Sequence, residues 1–198
     1  MILFRYTKKD GGEFISHLDL LRHIDRTLRR AKIQVKKSEA VNRHPRIYLS
    51  APLGVGIASE AEFCTVDTDY TGDFKAAFNA HSPSGIKCVD YRYTEKNVNV
   101  ANAVTSNGFL VRGISPFPVE EILSAETLVL TDKRERTKDV RPSVLELAWR
   151  DGSLFMRLRT GENNLRPDVL GEYLASRYGG EVLSVLKVQA YGLEAYGL

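Results

Sequence analysis

From Ile2 to Tyr91 the sequence switches between two apolar periods, one of two residues and one of about 3.6, in the order β-α-β-β-α-β. Few folds satisfy that order, because each amphipathic helix has to return its apolar stripe to the sheet that its flanking strands form. Residues 2–6 open the pattern as a strand. Ser16 then caps a helix: its hydroxyl can accept a free N–H at the helix start, and Asp19, three positions on, favours the same positive end. Leu21, Ile24, Leu28 and Ala31 recur at spacings of three and four and supply the buried stripe. Residues 33–35 begin the next strand, 38–46 form a polar loop, 46–50 resume strand character and 52–56 interrupt it. An alternating strand at 62–67, a short helix containing 73–78, a stop at 82–85 and a strand from 86 complete the series. The reading is α+β: a ferredoxin-like split-βαβ half with helices covering one sheet face. A four-stranded α+β sandwich with other connections is the alternative.

The second half is expected to begin after residue 97, giving one domain over 1–97 with the basic helix and another over 98–198. Residues 109–112 and 127–131 are strand-like, 119–123 fit a turn of helix, and the charged stretch 132–139 reads as solvated surface. Residues 144–149 and 154–158 make a hairpin, because Asp151-Gly152 permits a tight reversal. Pro167 starts a helix that runs to Tyr178 and stops at Gly179-Gly180, ahead of a last strand over 182–190. This is a second, smaller α+β half, for which a ferredoxin-like order is one option.

No stretch approaches the roughly 20 apolar residues that span a bilayer. At the N-terminus the apolar residues precede Arg5, Lys8 and Lys9, the reverse of a signal peptide, so a cytoplasmic protein away from the membrane is expected. The two cysteines, Cys64 and Cys88, sit in strand-like apolar contexts and are expected as buried small hydrophobes. His17, His23, His44 and His81 lack the spacing of a helical zinc site, so no metal and no cofactor is expected.

The formal charge of +3 is too small to name a polyanion partner, but its distribution is uneven. Residues 17–46 hold nine Lys/Arg against three Asp/Glu, with three histidines besides. On the helix, Arg22, Arg26, Arg29 and Arg30 fall outside the apolar stripe. Arginine offers several donors in a fixed fork that suits phosphate oxygens. His17 at the helix start belongs to the same cluster, as do Asn42, Arg43, His44 and Arg46 in the following loop, and Tyr48 could stack or hydrogen-bond. The competing reading is a solvated helix followed by an ordered turn.

Other features carry less. Residues 52–56 lack the Gly-Lys-Ser/Thr end of a phosphate loop, and their glycines fit a turn. Ser59, Glu60 and Glu62 could support a polar site, although acids at strand ends are more often solvated. Ser16, His17 and Asp19 lack the nucleophile turn of a hydrolase triad. Arg141-Pro142 and Arg166-Pro167 recur in the second half, each proline holding its arginine to an extended step, and the two arginines could grip an anion.

Residues 14–20 (FISHLDL), 26–31 (RTLRRA), 38–46 (SEAVNRHPR), 51–60 (APLGVGIASE) and 163–167 (NNLRP) resemble the radical-SAM-linked conserved family, also called the DUF2344 family. The resemblance extends over most of the chain and is densest at 14–62. The family tract resembles Ser-Glu-Gly-Phe-Asn-Pro-His-Pro, where this chain has Ala40-Val41 for Gly-Phe and Arg43 before His44. The resemblance implies a free-standing protein, or a carboxy-terminal partner of radical-SAM, B12-binding-like proteins, in RNA-related metabolism or in support of a radical enzyme. Two cysteines cannot supply the C-x-x-x-C-x-x-C ligands of such an enzyme's cluster, so the chain is not itself the radical enzyme.

The leading expectation is therefore an RNA-binding accessory module. A protein-binding partner of a radical-SAM enzyme is the runner-up. An RNA-modifying enzyme using Asp19, Glu60 or Glu62 comes third.

Overall fold

The apolar run at the start of the chain becomes β1 (Ile2–Lys8), which lies between β3 (Ala58–Val66) and β4 (Cys88–Tyr93), antiparallel to both, in the computed structural model, which describes residues 1–131 and 135–198. β2 (Ile47–Leu49) pairs antiparallel with Cys64–Val66 of β3. The order is thus β4-β1-β3-β2, with α1 (His17–Arg30) and α2 (Phe74–His81) in the two crossovers. This is the ferredoxin-like arrangement that the alternating periods suggest, and not the sandwich with other connections. The unit it forms comprises Met1–Val104 and Gly192–Leu198; Thr105–Tyr191 form a second unit.

Alternation along β1 selects the core. Ile2, Phe4 and Tyr6 join Cys64 and Val66 of β3, Leu20, Ile24 and Leu28 of α1, and Phe74 and Phe78 of α2. The Phe4 ring centroid stands 5.0 Å from that of Phe74 and 5.2 Å from that of Phe78. Full burial of each such side chain is worth about 1.5–3 kcal/mol. Ser16 caps α1 as its position suggests: its Oγ accepts the Asp19 N–H at 3.2 Å and donates to the Asp19 carboxylate at 2.7 Å. On the opposite sheet face, the Thr65 hydroxyl donates to the Val98 carbonyl at 2.9 Å, and Val98 is buried, as is Val100, the first residue of α3 (Val100–Ala103).

Residues 33–35 do not form the strand expected of them. Lys32, at φ 56°, turns the chain out of α1, and the Ile33 N–H returns to the Leu28 carbonyl at 2.9 Å, which places Ile33 in the core. β2 takes the strand role instead. Cys64 and Cys88 are free and buried, and burial pushes the Cys64 thiol well up and the Cys88 thiol up to about 12.

The second unit repeats the order. β5 (Ser106–Ile114), β8 (Val144–Arg150), β9 (Ser153–Arg159) and β10 (Gly180–Tyr191) form the antiparallel series β10-β5-β9-β8. α5 (Pro167–Tyr178) is the second crossover helix; the first is reduced to α4 (Glu120–Leu123), followed by a hairpin of β6 (Val129–Thr131) and β7 (Thr137–Asp139). Of the stretch expected as solvated surface, 137–139 form β7 and are exposed, while 132–134 lie outside the described residues. Asp151 and Gly152 join β8 to β9 at φ 48° and 72°, the positive pair that a tight hairpin turn needs.

Candidate anion-binding surface

The stripe of α1 that faces the sheet leaves Arg22, Arg26, Arg29 and Arg30 exposed on the other side. Arg22, Arg26 and Arg30 follow one another at one-turn spacing, and like charges so placed repel. Two of the four are offset locally. Arg22 pairs with Asp19 at 3.0 Å and Arg29 with Asp25 at 2.7 Å. The Ser16 hydroxyl and then Arg22 hold the Asp19 carboxyl below its usual range. Arg26 and Arg30 meet no carboxylate among the described residues; the Arg30 guanidinium reaches the Thr27 hydroxyl at 3.5 Å.

Those two arginines line a pocket of about 360 Å³ with His23 and with Ala80–Pro83, which includes His81, and no carboxylate takes part in its wall. His81 Nδ1 lies 2.9 Å from the Ala77 carbonyl oxygen, so that nitrogen carries a proton and Nε2 is left for another partner. Neither histidine stood out for this role in the sequence. His23 is readable afterwards, since it precedes Arg26 and Arg30 by three and seven residues on one helix face. His81 arrives from the end of α2, through tertiary packing alone.

The loop residues are arranged differently. A second pocket, of about 720 Å³, is lined by Arg29, Lys32 and Lys37 together with Asp25. The loop closes where the Ser38 N–H meets the His44 carbonyl at 2.8 Å and the His44 N–H meets the Ser38 hydroxyl at 3.0 Å, leaving Asn42, Arg43 and His44 exposed. Arg46 pairs with the buried Asp67 at 2.8 Å and donates to the Tyr48 hydroxyl at 3.3 Å; Tyr48 and then Asp67 raise its pKa. Arg46 and Tyr48 therefore hold each other in place. His17 is half-buried at the start of α1.

Arg141 and Arg166 belong to the second unit. The Arg141 guanidinium donates to the Val144 carbonyl at 2.7 Å and to the Leu123 carbonyl, fastening α4 to β8. Arg166, just ahead of α5, is held by both carboxylate oxygens of Asp168.

Glu62 is buried, not solvated as acids at strand ends commonly are, because β3 begins at Ala58 and sets it opposite Tyr6 on the core side. It accepts from the Ser59 hydroxyl at 2.9 Å and the Ser50 hydroxyl at 3.4 Å. Glu60 pairs with Lys9 at 2.8 Å. Among the described residues no three His, Cys, Asp or Glu side chains converge as a metal site, and no helix is long and apolar enough to cross a membrane.

The DUF2344 family, described as an uncharacterized protein conserved in bacteria, matches residues 1–167, and the chain belongs to that family. No curated protein matches the sequence. Among solved structures, a chain of a Cbf5–Nop10–Gar1 complex is similar at a TM-score of 0.50 and 9% identity, over 96% of this chain and 48% of that one. A chain of the archaeal box H/ACA sRNP Nop10–Cbf5 complex is similar at 0.47 and 11%, over 96% and 47%. The chain thus spans about half the length of these structures, and at 9% identity the likeness to the first concerns the fold alone.

Proposed function

We propose that this DUF2344 protein is an RNA-binding accessory module of cytoplasmic RNA-related metabolism, gripping phosphates with Arg26 and Arg30. One observation carries the reading: two guanidinium groups and two imidazoles share a pocket wall to which no carboxylate among the described residues contributes, on a helix face already crowded with positive charge. Each unbalanced arginine gains most from an incoming anion, because no internal pair has to be broken first. A phosphodiester chain supplies such anions in series, and neutralising them releases counterions. Arg22, Arg29 and the loop residues Asn42, Arg43 and His44 extend the basic surface on either side. Binding fits these residues better than chemistry does, since Asp19, Glu60 and Glu62 are each held by a local partner.

Crosslinking the native chain in cells and identifying both RNA and protein attached to it tests the reading. RNA attached around residues 23–30 and 80–83 is the expected result. Recovery of a radical-SAM protein on that surface, without RNA, would replace it with the partner reading, in which the same cations meet an acidic protein.

A further inference from the structure

The second unit carries a different basic surface, which the α1 cluster does not include. α5 lies on the Val111 side of β5, where Gly171 backs onto that side chain. The strand register sets another group of residues on the opposite face. Along β9 these are Phe155, Arg157 and Arg159, whose partners on β5 are Leu110, Gly108 and Ser106. On β8, Arg150, Ala148 and Glu146 pair with Ser153, Phe155 and Arg157. On β10, Tyr191 pairs with Ser106, and Ser184 pairs with Arg112. Four arginines thus share a sheet face, and among the described residues paired on these strands the one carboxylate beside them is Glu146, which pairs with Arg150 at 2.8 Å. Arg112, Arg150 and Arg159 are exposed.

Two of these arginines stand over aromatic rings. The Arg150 guanidinium carbon stands 3.5 Å from the Phe155 ring centroid, and that of Arg157 stands 3.8 Å from the Tyr191 centroid. Gly108 makes room for the first stack: a Cβ there would come within 2.9 Å of the Phe155 ring. The second is fixed by the Arg157 Nε–H, which donates to the Ser106 hydroxyl at 3.0 Å. A guanidinium held flat on a ring presents its outer plane, and an unpaired base stacks on such a plane as it does on an aromatic face. The Nε–H of Arg159 donates to the Pro142 carbonyl at 2.9 Å, and Arg112 meets no carboxylate among the described residues, so both retain donors for phosphate.

The geometry points to this face as a platform for single-stranded RNA, two bases stacking on Arg150 and Arg157 while Arg112 and Arg159 meet the backbone. This rests on RNA being the ligand, as argued above, and adds its form. An acidic peptide would use the charge but not the planes.

The test uses the full chain and labelled 12-nucleotide single strands: oligouridylate, oligoadenylate, an abasic strand of equal length, and the deoxy form of the oligoadenylate. Wild type is expected to prefer base-bearing RNA over the abasic strand by at least about fivefold, the lower end for one stacked base, and RNA over its deoxy form. R150K/R157K keeps the charges and loses the planes. It should lose that preference while binding the abasic strand as wild type does, with an unchanged melting temperature showing that the fold is intact. Full retention of the preference in R150K/R157K, tighter binding of the deoxy strand, or equal competition by polyglutamate would overturn the platform and leave RNA binding through α1 in place. Failure of wild type to bind any of these strands or an RNA hairpin would overturn both.

Discussion

Tyr6 and Glu62 are direct cross-strand partners on the helix-facing side of β1 and β3, and both are buried. Glu62 receives two serine hydroxyls, whereas the Tyr6 hydroxyl meets no hydrogen-bond partner among the described residues. Burial, and then the neighbouring carboxylate, push that phenol well above its usual pKa. Tyr6→Phe removes an unsatisfied group and keeps the ring, so a gain of about 1 kcal/mol is expected in urea unfolding. A loss of similar size would mean that the hydroxyl is bonded after all.

The cap of α1 predicts the opposite sign. Ser16→Ala removes the acceptor for the Asp19 N–H and the donor to its carboxylate, and should cost about 1 kcal/mol. The same change should let the Asp19 pKa rise toward its ordinary value, which a carbon-detected NMR titration would register.

Two glycines near each other in the fold should respond differently. A Cβ on Gly85 would lie 1.8 Å from the Lys9 carbonyl oxygen, a backbone atom that cannot swing aside, so Gly85→Ala should cost about 3 kcal/mol. Gly11 has open space around it but sits at φ 95°, and Gly11→Ala should cost about 1 kcal/mol from backbone strain alone. Equal losses in the two variants would contradict the packing at Gly85.

How legible these features were depends on their range. The Ser16 cap, the Asp151-Gly152 turn and the helix from Pro167 to Tyr178 are local signals, and each stands where the residues place it. Ile33 misleads because its apolar side chain closes the end of a helix, a role that looks like a strand start until the Leu28 carbonyl is found to accept its N–H. His81 joins Arg26 and Arg30 through the packing of α2, and the sheet-face arginines join through register, which alternation alone leaves open by one residue. Glu62 reads as a solvated strand-end acid for the same reason: which side of β3 it faces follows from pairing with Tyr6.

Asp139 gives a pH prediction for the second unit. Its Oδ1 accepts the N–H of Leu128 at 2.8 Å and that of Arg141 at 3.0 Å, and these bonds, Leu128 first, hold its pKa below the usual value. The unfolded chain then binds the proton first, so this contribution is complete above about pH 3.9 and is lost as pH falls through the lowered native value. Asp139→Asn should remove that component from the acid limb of the stability curve. An acid limb identical to that of wild type would show that Asp139 is not held as described.

The central claim is that the uncompensated arginines of α1 take up phosphates. Its most direct test is the salt dependence of RNA binding in R26A/R30A beside R22A/R29A. Each phosphate contact to a single strand contributes about 0.7 to the slope of log affinity against log salt. R26A/R30A is expected to weaken binding and flatten the slope by about 1.4, while R22A/R29A changes it less. An R26A/R30A protein that folds normally and keeps the full wild-type slope would contradict the account.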